Sequence, residues 1–235
     1  MKIFRYLAFS ALLAMSVSSA NTQDYDKGVA AIIAGDFETA WSELLPLAES
    51  GNADTQYNIG MMYLKGEGVI QNYVEAGKWL RLAADQGIVD AQYIIGLMYH
   101  EGKGVIQNDV EAVKWYRLAA DQGYADAQFN LGGLYTSGKG VIQNNVEAAK
   151  WYRLAADQGY AKAQYILGMA YRGGFGVIQN NVIAHMWLNI ASANGFENAA
   201  QTRDSIAAEM TQEDISEAQA MAQECLSSGY KNCGD

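Results

Sequence analysis

The stretch GVIQNDVEAVKWYRLAADQGYADAQ, residues 104–128, is written again almost unchanged as GVIQNNVEAAKWYRLAADQGYAKAQ, residues 140–164. The offset is 36 residues, and it continues in both directions. Gly51, Gly87, Gly123, Gly159 and Gly195 keep it and bound four units, 52–87, 88–123, 124–159 and 160–195. Gln56, Gln92, Gln128 and Gln164 recur in register, each followed by an aromatic residue. So do Gly60, Gly96, Gly132 and Gly168, then Tyr63, Tyr99, Tyr135 and Tyr171, then Trp79, Trp115, Trp151 and Trp187. A fixed period of this length marks one supersecondary unit stacked on copies of itself.

Each unit reads as two helices. In the third, Ala127, Leu131 and Tyr135 stand at i, i+4 and i+8, one apolar stripe of a helix. Gly132 lies beside that stripe. A glycine inside a helix costs about 1 kcal/mol against alanine, so close approach of a neighbouring helix is expected there. TSGKG (136–140) then breaks the chain. Asn144 with Glu147 three residues on resembles a capping box, repeated at Asn72 and Asn108, and Gly159 ends the second helix. The fourth unit departs: Ile183, Met186 and Asn189 replace the Glu, Lys and Arg of its predecessors. Its second helix is therefore expected to pack against something the inner units lack. The recurring tryptophans are expected in the core.

Both flanks read as capping helix pairs, 21–51 and 196–235. Pro46 is expected to kink the helix that holds it. Thr211 with Asp214 starts the last helix, and Gly229 ends it. Cys225 and Cys233 are expected to form a disulfide, worth about 2–3 kcal/mol in the chain-entropy model. Residues 1–20 carry Lys2 and Arg5, then a short apolar run from Tyr6 to Val17, then Ser18 and Ala20 at small-residue positions. This is the pattern of a secretory signal peptide cleaved after Ala20, and the run is shorter than a membrane span. The oxidising space implied by export suits the two cysteines. The whole chain has 16 Lys plus Arg against 26 Asp plus Glu, a formal charge of −10. So acidic a chain argues against nucleic acid and anionic lipid as partners.

The pattern of Ala127–Gly159, AQFNLGGLYTSGKGV followed by AAKWYRLAADQG, resembles Sel-one-like repeats, relatives of the tetratricopeptide repeat. The resemblance spans about 24–229. It implies an all-α fold, a right-handed α-solenoid of stacked helix pairs with capping helices at both ends. It implies a concave inner surface and a role as a scaffold or adaptor for proteins, without catalysis and without a cofactor. Some bacterial relatives contact host proteins, and some secreted relatives are linked to β-lactam binding or weak hydrolysis.

Candidate chemistry is sparse. His100 and His185 occupy different repeat positions and are expected at the surface; no histidine or cysteine pairing frames a metal site. The Gly-x-Gly pairs at 66/68, 102/104, 138/140 and 174/176 lack the strand and third glycine of a phosphate loop. Ser228 and Lys231 fit Ser-x-x-Lys, but the companion elements of that chemistry do not occur. The sites expected to bind are instead the positions where repeats differ. On each first helix these are the third, seventh, tenth and fourteenth residues, a single stripe by spacing. Its binding members are Asn58, Met61 and Lys65; Ile94, Leu97 and Glu101; Asn130 and Ser137; Ile166 and Met169. Apolar residues there, ringed by charge, suggest a groove for a protein or peptide. The reading is an exported, monomeric, non-enzymatic interaction scaffold, periplasmic or secreted. The alternatives are a secreted factor contacting host proteins and a weak β-lactam hydrolase.

Overall fold

The structure, a computed structural model, describes residues 22–233. The segment read as a signal peptide lies outside the described residues. Every regular element among them is an α-helix, arranged in the successive pairs of an all-α solenoid. The chain divides between Gln107 and Asn108 into two compact units. The first holds α1 (residues 22–34), α2 (Phe37–Glu49), α3 (Ala53–Lys65), α4 (Tyr73–Asp85) and α5 (Val89–Glu101). The second holds α6 (Asp109–Asp121), α7 (Ala125–Ser137), α8 (Asn145–Ala156), α9 (Ala161–Gly173) and α10 (Asn181–Ala193), closed by α11 (Ala199–Ala207) and α12 (Gln212–Ser227). In the first unit α3 packs on α2 and α4, and α4 on α5; in the second α7 packs on α6 and α8, α9 on α8 and α10, and α10 on α11 and α12.

The repeated residues account for these pairs. The Asn144 side-chain oxygen accepts from the N–H groups of Val146 and Glu147 at 3.0 and 3.1 Å, and Asn72, Asn108 and Asn180 do the same. The reciprocal half of the expected capping box is not made. The backbone N–H groups of Asn72, Asn144 and Asn180 already donate to the carbonyls of Tyr63, Tyr135 and Tyr171. Glu75, Glu111 and Glu147 instead pair with Lys78, Lys114 and Lys150. The full capping box forms at Thr211 and Asp214.

Gly132 admits its partner helix as expected: a Cβ there would lie 2.8 Å from the Tyr152 ring. The invariant glutamines clamp successive repeats. Gln128 donates to the Ala120 carbonyl at 3.1 Å and accepts from Gln158 at 2.7 Å, so a buried amide satisfies the end of the preceding helix. The loops stack on backbone. A Cβ on Gly104 or Gly176 would overlap the carbonyl oxygen of Tyr73 or Asn145, in the first turn of the preceding second helix.

One expectation changes. Trp115 and Trp187 are buried, but Trp79 and Trp151 are only half-buried. Arg117 lies over the Trp151 ring, 5.7 Å from its centroid. Pro46 lies inside α2, near its C-terminal end.

The apolar outer face of the fourth second helix finds its cover in α12. Met186 is fully buried where Lys150 is exposed, and Ile190 is fully buried where Leu154 is 46% exposed. Both join Trp187, Ala218, Ala222, Cys225 and Cys233 in one core cluster. The Cys225–Cys233 disulfide is formed, and the Tyr230 hydroxyl of the tail donates to Asn194 at 3.0 Å.

Candidate functional site

Each of the two units carries part of the stripe. In the first, Met61, Ile94 and Leu97 are half-buried, while Lys65 and Glu101 are exposed. The polar members are held locally. Asn58 hydrogen-bonds the Tyr25 hydroxyl, whose titration burial and the neighbouring Asp54 carboxylate move above its ordinary value. Lys65 pairs with Glu67 at 3.7 Å, and Glu101 with Lys103 at 2.7 Å. The apolar members are thus left to define what this surface offers.

In the second unit Asn130 is half-buried, and the exposed Ser137 hydroxyl donates back to the Gly133 carbonyl at 2.9 Å. Ile166 and Met169 are half-buried and come together in a cavity of about 360 Å³. Its other walls include Tyr152, Ala149, Ala170 and Phe175, none of them a stripe position. Two of these carried a readable signal. Ala170 stands where Met62, Met98 and Leu134 stand in the other repeats, and Phe175 where Glu67, Lys103 and Lys139 stand.

His185 is not at the surface. It is 2% exposed in α10, and its Nδ1 has no hydrogen-bond partner among the described residues. Its counterparts Gly77, Val113 and Ala149 are also buried, so the position varies inside the core. Burial first, then the Arg203 guanidinium, hold the imidazole below its ordinary titration range, with Asp204 acting weakly the other way. The unfolded chain therefore binds the proton more readily than the folded one. Stability is full above the unfolded value near 6.5 and falls as pH drops through the lower folded value, by at most about 1.4 kcal/mol per pH unit. Urea unfolding of His185→Ala is expected to lose that slope between about pH 7 and pH 5, the range in which an ordinary histidine charges. A slope equal to the parent's would assign it to other groups.

Hydrolytic chemistry has no support at Ser228. Its hydroxyl donates to the Cys225 carbonyl at 2.9 Å and accepts from the backbone N–H groups of Lys231 and Asn232, each at 3.2 Å. It caps a helix and ties the tail. Among the described residues no group of three or more His, Cys, Asp or Glu side chains could hold a metal ion.

The sequence model of the Sel1 repeat matches residues 53–88, 89–124, 125–160 and 161–196, more than half the chain. The chain belongs to the Sel1 repeat family. Two crystal structures of such proteins share its fold. One is a protective antigen present in uropathogenic Escherichia coli strains, displaying an SLR fold. It is 30% identical, with a TM-score of 0.79 over 96% of this chain and 53% of that one. The chain thus spans about half the antigen's length. The other is a Sel1 repeat protein from Oxalobacter formigenes, 33% identical, with a TM-score of 0.73 over 88% of this chain and 83% of that one. A comparison with curated proteins finds no match. Sel1 repeat helices thus supply the frame, and no helix among the described residues is long and apolar enough to cross a membrane.

Proposed function

We propose that this Sel1 repeat protein is an exported, non-catalytic scaffold that binds a partner protein or peptide through the stripes on its first helices. The observation that carries the reading is the set Met61, Ile94, Leu97, Ile166 and Met169. These are apolar side chains at positions that the repeats do not hold in common, and they are only half-buried. Stacking leaves them free to vary, and an apolar surface of this kind suits a polypeptide ligand. The Cys225–Cys233 disulfide supports a location outside the cytoplasm, periplasmic or secreted. The acidic charge argues against nucleic acid. A second reading, a secreted factor that contacts host proteins, draws on the protective antigen of similar fold.

Affinity capture from the native cell envelope, with crosslinking and mass spectrometry, tests the scaffold. Ile94→Asp would place an unpaired carboxylate at the interface, and its desolvation costs several kcal/mol. It is expected to weaken the captured partner at least tenfold while melting like the parent. Retention of every partner by this variant, and by Ile166→Asp, would exclude the stripes as the site. Fractionation separates the two readings: a partner confined to the envelope supports the first, one captured only from host extract the second.

A further inference from the structure

The cavity in the second unit is made by a side chain that the repeat omits. In the first unit Met98 occupies the position of Ala170, and its Cε would lie 3.1 Å from a Cβ on Gly77. That thioether fills the space above the preceding second helix. At Ala170 the side chain stops at Cβ, and the space between it and Ala149 becomes part of the 360 Å³ cavity. Close-packed arrays keep few such voids, because each costs stability in proportion to its volume.

Two more departures meet at the same place. Gly173 replaces Lys65, Glu101 and Ser137, and a Cβ on it would overlap the Phe175 ring. Phe175 therefore lies back over Gly173, at the rim, and is still 61% exposed. Deletion at 170, deletion at 173 and an added ring at 175 are separate changes with one spatial outcome.

The walls define the occupant. Ile166, Met169, Tyr152 and Phe175 offer two rings and a thioether, which favour an aromatic guest, and no charged side chain lines the cavity. Thr136 donates to the Gly132 carbonyl at 3.0 Å, so the Tyr152 hydroxyl, 3.4 Å from the Thr136 oxygen, is left to donate to it. The phenol oxygen keeps its acceptor capacity for an indole N–H. The volume lies at the lower end of ligand sites, about 300–1,000 Å³, enough for one side chain rather than a helix. One of its walls, α9, carries charge opposite to the chain's. α9 carries Lys162 and Arg172 and no carboxylate, in a protein of net charge −10. Arg172 is engaged by Glu209 at 3.6 Å. Lys162 replaces Asp54, Asp90 and Asp126 and stands one turn from Ile166 on the same face.

From these observations we infer that the cavity is a receptor pocket for one uncharged aromatic side chain of a polypeptide, borne on a segment with carboxylates beside the ring. This rests on the scaffold reading and adds a site and a ligand chemistry to it.

Calorimetric titration of the purified chain tests it with acetylated tetrapeptide amides: Asp-Asp-Trp-Asp, Asp-Asp-Ala-Asp and Lys-Lys-Trp-Lys, with free indole in parallel. The first is expected to bind at least tenfold more tightly than the second and several-fold more tightly than the third. Ala170→Met, the residue of the first two repeats, is expected to lower affinity at least tenfold with an unchanged or raised melting temperature. Ala170→Leu, the residue of the third, serves if the methionine variant does not melt cooperatively. Lys162→Asp is expected to weaken the acidic peptide about threefold and leave indole unchanged. Equal peptide binding by both filled variants, or no peptide binding at millimolar concentration, overturns the pocket. Binding of indole without the peptide overturns the polypeptide ligand. A captured partner lost on Ile94→Asp but kept by Ala170→Met would leave the scaffold standing and the pocket refuted.

Discussion

Gly176→Ala is expected to be among the most damaging single-methyl changes in the chain, at about 2–5 kcal/mol. Two costs combine. The residue has φ +75°, in the left-handed region, worth about 1–2 kcal/mol for a side chain. The new methyl also overlaps the Asn145 carbonyl, so the loop must lift from the helix on which it rests, at the 1–3 kcal/mol typical of overpacking. Gly87→Ala separates the two. Gly87 has φ +97° but nothing within 4 Å of an added Cβ, so it should lose only the conformational part. Urea midpoints of both variants measure the difference. Equal losses would mean that the glycine-to-backbone contact contributes nothing to stacking.

The second large effect uses a residue the repeats themselves supply. Met186→Lys restores the lysine found at 78, 114 and 150. At those positions the ammonium is exposed and paired with a glutamate one turn back. At 186 the site is fully buried under α12, and Ile183 stands where the glutamate would be. An unpaired buried charge costs several kcal/mol, so a loss of about 3–5 kcal/mol is expected, or expulsion of α12. Amide exchange along 212–227 should then accelerate while that of α7 is unchanged. Lys150→Met, the reverse swap at an exposed site, should stay within about 0.5 kcal/mol of the parent. A lysine at 186 as well tolerated as at 150 would contradict the capping role of α12.

The frame was legible because a repeat carries its own controls. Gly132 and Asn144 recur for reasons a single helix pair already contains, close approach and an N-cap; the Gln128 clamp reaches into the preceding repeat and shows only in the structure. The altered outer face of the fourth second helix also announced its cover, since Met186 and Ile183 have no reason to replace charges on a solvated surface. What failed was the inference from variation to exposure. His185 varies with Gly77, Val113 and Ala149, and all four are buried. The cavity was half legible. Ile166 and Met169 lay on the expected stripe, but Tyr152 and Phe175 belong to other elements. The omission at Ala170 has meaning only once Met98 is seen reaching Gly77.

The measurement that bears most directly on the binding role is site-specific photocrosslinking in the native envelope. A benzophenone side chain would replace Leu97 or Met61 on the first helices, and Lys78 or Lys150 on the exposed faces of the second helices. If the stripes are the binding surface, Leu97 and Met61 crosslink one partner polypeptide at a yield several-fold above Lys78 and Lys150, and Ile94→Asp abolishes the adduct. Crosslinks of that partner concentrated at Lys78 and Lys150, unaffected by Ile94→Asp, would contradict it and move the binding surface to the second helices.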